Sequence, residues 1–335
     1  MTAPAVTLPA SWYHDPAVYQ RERAAVWGTS WLCVARTAQL TDPGQYVATT
    51  VAGWPVLVVV GTDGERRAFH NVCRHRAGPL AWDGDGRAAG LVCRYHGWSY
   101  DLCGELVRAR DFGDRQPSGV RLAGMRVETW RGLVFVNLSP TGPALLDDLG
   151  AFADECAAYP MEEFAFSREV VHDLPVNWKT YADNYLEGYH VPLVHPALAR
   201  EIDAQRYRVD VGEKWCRHTA PTRDGSMVAG LWLWRWPNLA LNLYPDGMNV
   251  ERFLPDGPRR TRVVYQYFFR PGVEPASSDE STRMSAQLMD EDRAICEAVQ
   301  RNLEAGVYDT GELSPRHEAG VAAFQDLVRA AMEAA

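Results

Sequence analysis

Two short Cys-His pairs constrain this chain more than anything else in it. Cys73-x-His75 and Cys93-x-x-His96 stand with 17 residues between them. Four such side chains can hold one tetrahedral zinc. They can also hold a two-iron, two-sulfide cluster in which two imidazoles replace two thiolates on one iron. The order within each pair bears on the choice. Zinc fingers usually keep Cys with Cys and His with His. Here each loop supplies one of each. Two such loops can bring both thiolates to one iron and both imidazoles to the other, facing outward where an electron can leave.

The rest of the chain sets the scaffold. At 335 residues it is long enough for about two domains, each with its own core. The net charge of −9 argues against nucleic-acid binding, which needs a basic face. The first residues lack a basic start followed by an apolar core, so no secretory signal is read there. No run approaches the roughly 18 apolar residues that span a bilayer. Seven scattered cysteines, an odd number, speak for reduced thiols and a cytoplasmic protein.

Asp15 and Pro16 open a helix in "DPAVYQRERAAVWG", as N-cap and first helical residue, and Gly28 stops it. Residues 30–140 read as a compact antiparallel β domain, with "TDGE" (62–65) as a hairpin turn and both Cys-His pairs at strand ends. "TGPALLDDLG" is a boundary. Residues 1–29 and 141–335 then form a second domain. In it, "REVVHDLPV" is a strand, and "NWKTYADNYLEGYH" is a helix capped by Asn177 and stopped near Pro192. The segments from Leu231 to Pro255 and from Arg260 to Phe269 alternate like antiparallel strands, and two amphipathic helices follow.

"CRYHGWSYD" and "NVCRHRAGPL" closely resemble the two cluster loops of the Rieske non-haem iron oxygenases. Respiratory Rieske proteins carry an extra disulfide-forming Cys in each loop. Gly78 and Tyr95 occupy those places here, so the resemblance is to the oxygenase branch. Trp98 is a candidate wall of the cluster, or simply core. The hydroxyls of Ser99 or Tyr100 are candidate donors to sulfur.

His190 and His195 flank Pro192 at a helix end. Two His and one carboxylate on one face of iron leave positions open for dioxygen and substrate. The stretch 177–196 resembles the iron-site helix of the oxygenase alpha subunit. The resemblance makes His190 and His195 iron ligands, Glu187 a carboxylate bridging to a neighbouring subunit's cluster, and Asn184 a residue beside the iron. Many relatives carry Asp where Glu187 stands. Glu187 also lies three residues before His190, so both project from one helix face, and it can fix that ring. The "MDEDR" stretch resembles the late helix that closes the triad. Asp292 is the expected third ligand, with Asp290 and Glu291 as near alternatives. Ile295, Val299 and Leu303 share a stripe with Asp292. The other five His residues (14, 70, 172, 218, 317) are read as structural.

The resemblance covers residues 12–328. It implies an α+β fold: an antiparallel β Rieske domain and a catalytic domain of helices packed over a curved antiparallel sheet, of helix-grip type. It implies a homotrimeric terminal oxygenase with a [2Fe-2S] cluster and a mononuclear Fe(II). Electrons come from NADH or NADPH through a separate reductase or ferredoxin, since the chain has no dinucleotide fingerprint and no plant-type cluster spacing of its own. Candidate pocket walls are Trp215, Trp232, Trp234, Trp236, Leu241, Leu243 and Tyr265. Trp232, Trp234 and Trp236 share one strand face. They form either a cation–π cage or core. Their segment looks most like the branch acting on choline, glycine betaine and carnitine, with oxidative N-demethylation as the expected outcome. The alternative is the branch that hydroxylates aromatic acids or hydrocarbons.

Overall fold

The computed structural model describes residues 5–114, 116–222 and 229–334. It resolves into two compact units, Trp27–Asp148 and a discontinuous one made of Met1–Val26 with Leu149–Ala335.

The first unit is built on antiparallel strands. Its seven-stranded sheet runs in the order Leu32–Arg36, Leu133–Asn137, Gly124–Trp130, Arg66–His70, Trp54–Val60, Gln45–Val51, Gly84–Arg87. A three-stranded sheet is formed by Leu91–Val92, Ser99–Tyr100 and Leu106–Arg108. The "TDGE" turn joins Trp54–Val60 to Arg66–His70, with Gly64 at φ +83°. Leu57, Val59 and Phe69 form a core that also buries Cys73, Cys93 and Trp98. The apolar strands thus bury the two thiols, while His75 and His96 are only partly buried.

The second unit is one seven-stranded antiparallel sheet with helices packed on it. Its order is Ala165–Leu174, Thr261–Phe269, Gly247–Pro255, Leu239–Tyr244, Leu231–Arg235, Trp215–Thr219, Arg208–Val211. The sheet is curled into a half-barrel, and the fold is α+β of the helix-grip kind. Cross-strand register places Trp232 opposite Asn242, Asn242 opposite Asn249, and Glu251 opposite Tyr265. Strand pairing therefore gathers polar and aromatic side chains into neighbouring positions.

Asp15 caps the helix Pro16–Glu22, accepting from the Ala17 amide at 2.7 Å, and a π-helical turn continues it to Trp27. Asn177 caps the helix Trp178–Tyr185 through the Lys179 amide. That helix ends at Tyr185 rather than running on to Pro192. The reason is local. The next residues form a bend, and Pro192 sits in the first turn of a separate short helix, Val191–Val194, where its missing N–H costs nothing. The long helix Pro275–Glu304 and the helix Ala319–Glu333 complete the unit.

A buried ion pair ties the first helix to the middle one. Lys179 Nζ lies 2.5 Å from Glu22 Oε1, and both side chains are fully buried. Asn177 Oδ1 accepts from the same ammonium, and Trp178 Nε1 donates to Glu22 Oε2. Phe324 packs edge-on against Trp178 and Trp234. None of the described helices is long and apolar enough to cross a membrane.

Candidate metal centres and substrate pocket

The two Cys-His loops repeat one backbone design. Each Cys carbonyl accepts from the fourth residue onward, Ala77 or Gly97, and each Cys amide donates to the fifth, Gly78 or Trp98. The fourth residue has positive φ in both, +56° at Ala77 and +75° at Gly97. Asn71 holds the first loop from below, bonding the backbone of Leu80 and Ala81 with both ends of its amide.

This folding brings the four expected side chains together. Cys73 and Cys93 are each 2% exposed, and their sulfurs interact. The His75 and His96 rings lie 4.7 Å apart, edge to face. Both Nδ1 atoms are buried without a hydrogen-bond partner among the described residues. Two thiols on one side and two orphaned ring nitrogens on the other fit a Rieske cluster's donor requirement. The Trp98 ring stacks on His75 at 4.7 Å, so it is both core and wall. The Tyr100 hydroxyl lies 3.2 Å from Cys73 Sγ, whereas Ser99 Oγ turns to the Gly97 carbonyl. A Cβ on Gly78 would stand 2.8 Å from Cys93 Sγ and 2.9 Å from Tyr95 Cβ, so any side chain there displaces the second loop.

In the other unit, His190, His195 and Asp292 converge, with one donor atom from each within 4.8 Å of the others. Asp292 Oδ1 lies 2.9 Å from His195 Nε2 and 3.7 Å from His190 Nε2. Both Nε2 atoms face the carboxylate because both Nδ1 atoms are held from behind. Glu187 Oε1 takes His190 Nδ1, and Glu291 Oε2 takes His195 Nδ1 at 2.7 Å. Two backed imidazoles and a carboxylate fit a facial triad. Asn184 Nδ2 donates to Asp292 Oδ1 at 2.7 Å and orients it. Burial pulls the His195 pKa down, but its bonds to Asp292 and Glu291 prevail and the net displacement is upward.

Three readings of this stretch change. Glu187 is not on a helix face shared with His190. It lies in the bend after Tyr185, where its Oε2 accepts from the Tyr189 and His190 amides while Oε1 meets the ring. The bend needs Gly188, since a Cβ there would sit 2.4 Å from the Tyr207 ring. Asp290 is exposed and outside the cluster. Ile295 and Val299 are 39% and 41% exposed, so they form no buried stripe with Asp292. The buried edge of that helix is Met289, Cys296, Gln300 and Leu303, because Gln300 is anchored to the Asn177 amide and the Thr180 hydroxyl.

A cavity of about 410 Å³ opens over the cluster of His190, His195 and Asp292. Trp232 and Tyr265 line it, but Trp215, Trp234, Trp236, Leu241 and Leu243 do not. Trp234 is fully buried and packs with Trp236 and Phe324 beneath the last helix. Alternation had put the three tryptophans on one face, but that face is shared between cavity and core. Leu241 and Leu243 have the opposite parity from Asn242. His218 was read as structural, yet it lines the cavity, lies with Nδ1 2.8 Å from the Tyr207 hydroxyl, and is pushed down to about 3 by burial. Glu291 and Glu251 carried no sequence signal beyond adjacency to the motif or a place in a strand. The cavity's described lining contains four carboxylates, Glu187, Asp246, Glu251 and Asp292, and no Arg or Lys.

Residues 30–132 match the family model for the Rieske [2Fe-2S] domain. Residues 161–222 and 210–334 match that for the ring hydroxylating alpha subunit (catalytic domain). The chloroplastic choline monooxygenase of Arabidopsis thaliana is 33% identical over 335 residues, covering 92% of this chain and 78% of the relative. The carnitine monooxygenase oxygenase subunit of Acinetobacter pittii (strain PHEA-2) is 29% identical over 357 residues, covering 96% and 94%. The quaternary ammonium Rieske monooxygenase CntA, solved with its substrate L-carnitine, superposes with a TM-score of 0.87 at 28% identity, covering 98% of this chain and 96% of that one. Inter-subunit electron transfer has been described from the structure of a quaternary ammonium Rieske monooxygenase that superposes with a TM-score of 0.89 at 27% identity, covering 98% of this chain and 96% of that one.

Proposed function

Because the chain belongs to the Rieske non-haem iron oxygenases as an alpha, or terminal oxygenase, subunit, we propose that its substrate is a quaternary or tertiary amine without an acid group, hydroxylated on a carbon attached to nitrogen. The observation that carries this is the charge of the cavity. Four carboxylates and several aromatic rings, with no Arg or Lys among the described lining residues, suit a cation and disfavour an anion. An aromatic acid would find no Arg or Lys among those residues to pair with its carboxylate.

When bound, the cluster stores an electron and the iron activates dioxygen. The protein's own part is positional. Cys73, His75, Cys93 and His96 would hold the cluster; His190, His195 and Asp292 would hold the iron. Glu187 and Glu291 fix the ring tautomers from behind, and Asn184 aims Asp292. Trp232 and the cavity tyrosines would seat the ammonium head against their faces. Net, one dioxygen, two electrons and two protons convert a C–H bond to C–OH and release water. An N-methyl group so hydroxylated loses formaldehyde and leaves the demethylated amine. A separate reductase or ferredoxin supplies the electrons.

We further read Glu187 as the link to a neighbouring subunit's cluster in a homotrimer. Its contact with His190 and the inter-subunit transfer described for a quaternary ammonium Rieske monooxygenase of similar structure support that role. The odd, scattered cysteines support a cytoplasmic location.

Single turnover tests the reading. Chemically reduced protein meets labelled dioxygen and a panel of quaternary amines, tertiary amines and aromatic acids, and mass spectrometry follows the products. Formaldehyde with a demethylated amine, or an oxidised alkyl arm on an amine, is the expected result. A labelled phenol or diol from an aromatic acid would overturn it.

A further inference from the structure

We propose that Glu251 is the residue by which the cavity selects positive charge, its second carboxylate oxygen being reserved for the cationic head of the substrate. This rests on the amine reading above. It adds the group that discriminates a cation from a neutral molecule of the same shape.

Glu251 lies mid-strand in Gly247–Pro255, is 3% exposed and lines the cavity. Its two oxygens are treated differently. Oε1 accepts from Asn242 Nδ2 at 2.6 Å and from Asn249 Nδ2 at 3.0 Å. Oε2 is buried with no hydrogen-bond partner among the described residues. The arrangement is fixed from outside. The Tyr185 hydroxyl donates to Asn242 Oδ1 at 2.9 Å, so the Asn242 amide must turn its nitrogen toward Glu251. A carboxyl with two donors on one oxygen and none on the other is half solvated, and burying it ionised is costly. A cation in the cavity supplies the missing partner. A neutral isostere does not.

The electrostatics of the site agree. Burial pushes the Glu251 pKa up to about 8, with the Asp292 charge adding to the push, and the bond from Asn242 and the nearby Tyr265 hydroxyl, itself engaged with Tyr181, opposing it. The other titratable groups around it are Tyr181 and Tyr185 from the Trp178–Tyr185 helix, Tyr244, Tyr265 and Tyr267 from adjacent strands, and His218. Burial raises all five tyrosines and lowers His218 to about 3, so none of them exchanges a proton near neutral pH. Asp292, on the long helix, is the charged neighbour. A cation seated against Oε2 offsets both that burial and that neighbouring charge.

The test is calorimetry on the iron-loaded protein without oxygen, using choline and its uncharged carbon isostere 3,3-dimethylbutan-1-ol. Wild type is expected to prefer choline. Glu251→Gln keeps an acceptor for both asparagines and is expected to weaken choline roughly 10- to 100-fold while leaving the alcohol's affinity unchanged or improved. The ratio of choline to alcohol affinity in wild type is read directly, whether or not the variant folds. Equal choline affinity in wild type and E251Q, or a wild type that binds the alcohol as tightly as choline, overturns the assignment. A wild type that binds neither compound overturns the amine reading beneath it, an outcome distinct because choline still binds in the former cases.

Discussion

Replacing Lys179 by Met should destabilise the catalytic unit sharply, and the structure gives the size of the effect. The Lys179 ammonium is fully buried between Glu22 Oε1 at 2.5 Å and Asn177 Oδ1 at 2.8 Å. Methionine fills nearly the same volume, so little cavity forms. What changes is Glu22, which stays buried and keeps, among the described residues, the Trp178 indole as donor. Breaking a buried pair from one side typically costs about 3–5 kcal/mol, because the surviving charge is left uncompensated. In a unit of roughly 200 residues each kcal/mol moves the midpoint by about 2–4 °C, which predicts a loss of about 6–20 °C. Adding Glu22→Gln removes the orphaned charge and should restore most of the loss. Differential scanning calorimetry of wild type, K179M and K179M/E22Q resolves the three. A single variant within 2 °C of wild type, or a double variant no better than the single, refutes the reasoning.

Asp292→Ala should lower iron content from about three to about two per chain while the red-brown cluster spectrum persists, as metal analysis and visible absorption would show; unchanged iron would remove Asp292 from the triad. Glu187→Gln should keep the cluster reducible and the iron bound yet abolish coupled product formation, and normal turnover would sink the bridge. Trp234→Ala, in the core against Trp236 and Phe324, should cost about 3–5 kcal/mol. Trp232→Ala should instead raise KM with little change in Tm, because Trp232 faces the cavity; the reverse pattern would exchange their roles.

Local chemistry was legible in the sequence wherever one residue type has one physical use. Asp15 before Pro16 and Asn177 before an apolar run announce helix starts, and the side chains accept as caps should. Two Cys-His pairs at strand ends announced a metal, and family resemblance named it. What stayed hidden depends on tertiary rotation. Alternation places Trp232, Trp234 and Trp236 on one face but not where the last helix covers that face. Periodicity carried the Trp178 helix past Tyr185, because a bend made by Glu187 bonding its own following amides looks helical in sequence. Glu291 was set aside because only one of three consecutive acids can face the iron. It serves by reaching the far side of His195. Glu251 sits inside an apolar strand and gains meaning only from Asn242 and Asn249 across the sheet.

The discontinuity of the catalytic unit orders the protein's birth on the ribosome. Trp27–Asp148 emerges as one uninterrupted piece with Cys73, His75, Cys93 and His96 all inside it, so a cluster can be installed while synthesis continues. The iron site cannot be finished then. His190 and His195 must wait for Asp292, and the opening residues must wait longer still, since the Leu8 amide bonds Gln325 and the Tyr13 carbonyl bonds Gln300. At roughly 5–20 residues per second, about 7–30 s separate Asp148 from Asp292. Throughout that interval Leu8 and Tyr13 lack the helices they bond to, and the segment that carries them is one a chaperone has reason to hold.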